Sequence, residues 1–207
     1  MIVPRQQPAR FYPIVPDLAW MELIVPLGVE TVQLRLKSAS RREVRQQIAG
    51  SLALCRAHGT QLIVNDDWQE AIEAGADYVH LGQEDLALAD IGAIKAAGCR
   101  FGLSTHSEAE LEVALAAAPD YIALGPIYET KLKAMAWKPQ GLLRITQWKQ
   151  RIGAIPLVAI GGLTPERAPA AFAAGAQSLA VITDFLTHEA PQSRIKTWLA
   201  LARRGDG

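Results

Sequence analysis

The chain has 207 residues, half of them hydrophobic, which suits one large domain with an ample core. Its 21 basic residues are balanced by 21 acidic ones, so no basic field exists to hold nucleic acid or anionic lipid, and any phosphate site must be local. No apolar run approaches the length that spans a bilayer, and Cys55 and Cys99 lack metal spacing, as expected of reduced thiols in a cytoplasmic protein.

Residues 1–9 are expected to be a loose arm ahead of one domain that fills 1–207. Phe11–Val15 reads as the first apolar strand, followed by a helix over 18–27 that stops at Gly28. Thr31–Leu34 is the second strand, and Ser40 is placed to cap a long helix, Arg41–His58, that ends at Gly59. The run 62–64 predicts a strand buried on both faces, 68–75 a helix closed by Gly75, and Tyr78–Leu81 a fourth strand. A helix over 86–97 ends at Gly98, and 100–103 is a fifth strand with Ser104 at its tip. Ser107 caps a helix reaching Ala118, with Glu108 and Glu110 in its dipole-favoured first turn. The sixth strand, 120–124, leads into the longest irregular segment, 127–140, which is too long for an idle connection. A helix over 141–151, a strand over 156–160, a helix opened by Thr164-Pro165-Glu166, a strand over 178–182 and a closing helix, Pro191–Arg203, complete the chain.

Eight strands alternating with helices at near-constant spacing predict a single (β/α)8 TIM barrel. A doubly wound open sheet is the rival, but the count closes at eight and no stretch looks like a second domain.

In such a barrel, ligands bind at the carboxyl ends of the strands. Asp66 and Asp85 follow strands three and four there, close enough to share a cation, and with Asn65 they suit a hard ion such as magnesium. The plain alternative is that each aspartate only caps the helix after it. Gln33, Arg35 and Lys37 leave strand two at alternate positions and so share one direction, and cations beside a metal pair call for a polyphosphate. Ser104 could donate to a ring or a phosphate, whereas His106 could simply bridge loops. Thr130, Lys131 and Lys133 give the long loop a hydroxyl and two cations, suited to a lid over an anion. Gly161-Gly162 and Ile182-Thr183 follow strands seven and eight, where barrels bind a single phosphate through backbone N–H groups. Nothing resembles a covalent nucleophile with its base, so the inventory fits joining a diphosphate ester to a second phosphorylated substrate.

The segments VQLRLK (32–37), VNDDW (64–68), VHLGQEDL (79–86), GLSTHS (102–107), ALGPIYET (123–130) and VAIGGLTPERA (158–168) together resemble the thiamine-phosphate synthase (thiamine-phosphate pyrophosphorylase) family over nearly the whole chain. The resemblance implies a magnesium-dependent transferase that condenses hydroxymethylpyrimidine diphosphate with a thiazole phosphate, releasing diphosphate by a dissociative route. By that likeness Asp66 and Asp85 would hold Mg2+, while Gln33, Arg35, Lys37, Asn65, Ser104 and Lys133 would hold the pyrimidine diphosphate. Thr130, Lys131, Gly161, Gly162, Ile182 and Thr183 would hold the thiazole phosphate, and Arg35, Ser104 and Lys133 would be the catalytic groups. The partners implied are small phosphorylated molecules, with a possible homodimer, and neither nucleic acid nor membrane.

Two positions depart from the family pattern. Leu132 stands where a second hydroxyl usually precedes the loop lysine, and Asp184 puts a carboxylate near the expected phosphate. Two other readings share parts of the pattern. One is a thiazole tautomerase, for which His106 would carry the proton, and the other is a non-catalytic barrel that binds thiamine intermediates. A tautomerase has no need for Asn65, Asp66 and Asp85 together.

Overall fold

The computed structural model describes residues 6–37, 40–129 and 137–203. Eight parallel strands close on themselves in sequence order: β1 (Phe11–Val15), β2 (Thr31–Leu34), β3 (Gln61–Asn65), β4 (Tyr78–Leu81), β5 (Arg100–Thr105), β6 (Tyr121–Leu124), β7 (Leu157–Ile160) and β8 (Ser178–Val181). β8 pairs back to β1, with Tyr12 opposite Ala180, so the sheet has no edge. The expected (β/α)8 barrel is therefore the observed fold.

Side-chain alternation sorts each strand into two faces. Tyr12, Ile14, Ile63, Tyr78, Tyr121, Ala123, Val158 and Ala180 fill the barrel interior as one cluster. The intervening residues, among them Phe11, Val32, Leu62, Val64, Val79, Leu81, Phe101 and Leu103, point outward into the layer shared with the helices. Strands buried on both faces must read as unbroken apolar runs, which is why they were legible.

The helices are α1 (Leu18–Ile24), α2 (Arg41–His58), α3 (Trp68–Glu73), α4 (Gln83–Leu88), α5 (Ile91–Ala96), α6 (Glu108–Ala117), α7 (Gly141–Ile152), α8 (Ala168–Ala173), α9 (Thr183–Leu186) and α10 (Pro191–Arg203). Ser40 and Glu43 form a reciprocal capping box on α2, and Gly59 ends it with φ 69°. The helix expected over 86–97 is broken in two. Asp90 adopts an extended backbone and its carboxylate accepts from the Ala93 N–H at 2.9 Å, which restarts the chain as α5. The helix expected over 18–27 ends early in a 3-10 turn, Val25–Leu27, that contains Pro26.

Part of the loose arm expected over 1–9 is tied down. The Ala9 N–H donates to Thr31 Oγ1 at 3.0 Å and its carbonyl accepts from Ser178 Oγ at 2.6 Å, on β2 and β8. Among the described residues, no helix is long and apolar enough to cross a membrane. Cys55 and Cys99 are buried, and burial pushes both thiols up to about 12, so neither is reactive.

Candidate active site

The chain turns sharply where β3 ends. Asp66 takes φ 62°, a left-handed conformation that few residues other than glycine adopt. Two backbone bonds hold the turn: the Asp66 N–H donates to the His80 carbonyl on β4 at 2.9 Å, and the Trp68 N–H donates to the Asp66 carbonyl at 2.7 Å. Asn65 Nδ2 donates to Asp66 Oδ2 at 2.5 Å. Asp85 lies in the first turn of α4, close over Gly82, where an added Cβ would meet Asp85 Oδ2 at 2.8 Å.

These two carboxylates face each other. Burial, then the charge of Asp85 and a hydrogen bond to it, push Asp66 from 3.8 up to about 7, with Arg35 opposing the rise. A raised carboxylate pKa costs the fold stability that grows as pH climbs from 3.8 through about 7. Helix capping does not account for the pair, because the caps are Asp67 on α3 and Gly82 on α4, and neither makes a side-chain capping bond. Two hard oxygen donors that repel one another suit a small divalent cation. Among the described residues no group of three His, Cys, Asp or Glu side chains could hold a metal, so a shared ion would take its other ligands from substrate and water.

The side chains leaving β2 differ in placement. Gln33 is buried within the barrel, Arg35 is half-buried with its N–H donating to the Val15 carbonyl at 2.9 Å, and Lys37 is exposed. The charge of Arg35 acts on both Asp66 and His80, which places it over the mouth of the barrel. Ser104 is half-buried near the end of β5, with its Oγ 2.8 Å from His80 Nε2, and Gln83 Nε2 donates to its carbonyl at 2.6 Å. His106 is occupied by structure: its Nδ1 lies 2.8 Å from Glu110 Oε2, and its ring stacks on Trp137 at 5.7 Å. Those contacts fix the orientation of the ring against α6.

Thr130, Lys131, Leu132 and Lys133 lie outside the described residues. Gly161 and Gly162 take φ 97° and 64° where the β6 and β7 loops meet. A Cβ on Gly161 would sit 2.6 Å from Pro126 Cβ, and one on Gly162 2.7 Å from Tyr128 Cβ. Side chains are excluded there both by conformation and by space. Ile182 and Thr183 are half-buried at the start of α9.

Asp184 is not directed at a phosphate. Arg194 on α10 grips it through Nε and Nη2, both at 2.8 Å, and Trp198 Nε1 donates to it at 2.7 Å. The departure noted in the sequence is therefore a clamp between α9 and α10. Asp184→Ala is expected to cost about 3 kcal/mol, near the low end for breaking a buried pair, because Arg194 keeps Glu166. A denaturant midpoint would read that loss, and the KM for substrate should not move. A lowered KM would mean that the carboxylate does repel substrate.

Sequence reasoning missed three residues at the centre of the site. Tyr12 (1% exposed), His80 (7%) and Tyr121 (0%) bring polar atoms into the barrel interior between Gln33 and Ser104. The signal was strand parity: His80 follows Tyr78 by two positions inside a run that is otherwise apolar on its outward face.

A closed barrel with paired carboxylates, an arginine and a serine at its carboxyl-terminal mouth is built as an enzyme for small phosphorylated substrates. The chain belongs to the thiamine monophosphate synthase family, whose pattern it matches over residues 11–185. A thiamine-phosphate synthase of Rhizobium etli is 53% identical over 190 residues, covering 92% of this chain and 93% of its own length. One from Neisseria meningitidis serogroup A is 46% identical over 199 residues, covering 96% and 97%. The solved thiamine phosphate pyrophosphorylase of Pyrococcus furiosus superposes with a TM-score of 0.84 over 98% of this chain and 99% of its own, and at 24% identity that likeness concerns the fold.

Proposed function

We propose that this barrel makes thiamine phosphate by joining hydroxymethylpyrimidine diphosphate to a thiazole phosphate. The observation that carries the reading is the facing pair Asp66 and Asp85 beside Arg35, an arrangement of charges suited to a cation and a polyphosphate together. Asp66 and Asp85 would hold magnesium, which when bound would supply Lewis-acid stabilisation of charge on the leaving diphosphate.

The chain's own residues do the rest. The bond between the pyrimidine methylene carbon and the diphosphate oxygen breaks first, and its electron pair leaves with the diphosphate. Arg35 and Lys133 meet that growing negative charge with charge-assisted hydrogen bonds. Gln33, Asn65 and Ser104 hold the pyrimidine portion, and Lys37, at the solvent side, attracts the diphosphate. The thiazole nitrogen then donates its lone pair to the methylene carbon. Gly161, Gly162, Ile182 and Thr183 offer backbone N–H groups to the thiazole phosphate and so fix where that nitrogen stands. Buried, unreactive thiols accord with a cytoplasmic location.

Incubation with both substrates and magnesium should yield thiamine phosphate and diphosphate. Isomerised thiazole phosphate without diphosphate release would point to a tautomerase. Ligand binding with no turnover would mark a non-catalytic barrel.

The loop carries its own expectation. Leu132 cannot donate to phosphate, and the charge of Lys131, its neighbour in sequence, is the group able to compensate. Lys131→Ala should therefore raise the KM for the thiazole phosphate by roughly tenfold, while Leu132→Thr changes it little. If neither substitution moved KM, the loop would have no contact with that substrate.

A further inference from the structure

A chain of hydrogen bonds crosses the barrel interior from β2 to β5. Gln33 Nε2 donates to the Tyr12 hydroxyl at 2.7 Å, which lies 3.0 Å from the Tyr121 hydroxyl. That hydroxyl lies 2.7 Å from His80 Nδ1, and His80 Nε2 lies 2.8 Å from Ser104 Oγ. Gly102 makes the crossing possible, since any Cβ there would run into the Tyr121 ring. The Tyr121 ring also stacks on the His80 ring at 5.5 Å and 12°.

Each hydroxyl in the chain has one proton to give, so the first donor sets the direction of all the others. The Tyr12 hydroxyl accepts from the Gln33 amide, so its proton goes to Tyr121. The Tyr121 proton in turn goes to His80 Nδ1. A neutral imidazole with Nδ1 accepting carries its proton on Nε2, and that proton goes to Ser104. A protonated ring would donate to Tyr121 as well and leave the Tyr121 proton without an acceptor, so the ring in this chain is neutral. Burial pushes both phenols well up, so each keeps its proton.

We propose that His80 is a positioning residue whose Nε2–H occupies an acceptor site of Ser104, so that the serine hydroxyl is held as a donor towards the pyrimidine diphosphate. The direction of that donor originates at Gln33, on the far side of the barrel, and passes through Tyr12 and Tyr121. This inference rests on the reading that Ser104 touches substrate, but the direction of the chain does not.

Nitrogen-15 NMR of the ring-labelled, full-length protein tests the direction by itself. The His80 proton should sit on Nε2 in the native chain. In Gln33→Glu the introduced carboxylate accepts from Tyr12, the chain reverses, and the proton should move to Nδ1. A native proton on Nδ1, or no movement in a folded Gln33→Glu protein, overturns the proposal.

The kinetic arm asks whether Tyr121 acts through Ser104, and it serves if Gln33→Glu does not fold. Tyr121→Phe should lower kcat/KM by roughly three- to tenfold, as for loss of one neutral hydrogen bond. In a Ser104→Ala background the same substitution should cost nothing further. Equal losses in both backgrounds would reduce Tyr121 and His80 to packing and overturn the proposal. If no thiamine phosphate forms with the native chain, the reading of the reaction fails, while the NMR result still decides the direction of the chain.

Discussion

Asp85→Asn is expected to raise the magnesium concentration for half-maximal turnover by on the order of a hundredfold, since removing mere supporting partners of metal ligands already costs roughly 10–100-fold. The change removes one of the two facing charges and keeps the shape, so the fold should survive. Without metal, the native protein should melt at progressively lower temperature as pH rises towards about 7, because ionising Asp66 beside Asp85 costs stability. Asp85→Asn should flatten that slope and make the metal-free protein the more stable of the two near neutral pH. Magnesium titrations of activity, with melts in chelator across pH, would read both effects. Normal turnover of the variant at low magnesium would sink the metal assignment.

Arg35→Ala is expected to lower kcat and kcat/KM by roughly tenfold to a hundredfold, the equivalent of about 1.5–3 kcal/mol for a hydrogen bond to a charged group. The loss belongs in kcat because the leaving diphosphate gains charge only as its bond to carbon breaks. Lys133→Ala should behave the same way if the loop lysine closes on the same oxygens. Arg35→Lys should recover only part of the rate, since an ammonium keeps the charge but not the paired donors. A change confined to KM would recast Arg35 as a binding group that treats substrate and transition state alike. Because Arg35 also bears on Asp66, its removal should raise the cost of the carboxylate pair, and the metal-free melt would show it.

The barrel was legible because its physics is local. A strand covered on both faces must be apolar along its length, and glycines such as Gly59, with φ 69°, end helices where other residues are strained. The strand-end rule puts Asp66, Asp85, Arg35 and Ser104 at one mouth, since the ends of parallel strands gather regardless of their distance along the chain. Helix breaks were harder to see. Asp90 looks like any surface residue until its carboxylate is found on the Ala93 N–H.

What the sequence determined by itself, then, is the alternation of elements, the closure at eight, and the chemical types that collect at the carboxyl-terminal end. Only the tertiary structure decided which partners those groups take. Asp184 read as a charge beside a phosphate, yet Arg194 and Trp198, 10 and 14 residues further on, turn it into a clamp. His106 read as a residue that could simply bridge loops, and its partners, Glu110 four positions on and Trp137 across the next loop, appear only in the folded chain. Tyr12 and Tyr121 stand 109 positions apart and meet only because the barrel closes, and with His80 between Tyr121 and Ser104 they give the interior its direction. A hydrogen bond between distant strands leaves no periodicity in either one, so the polarity of that chain is a property of the closed barrel alone.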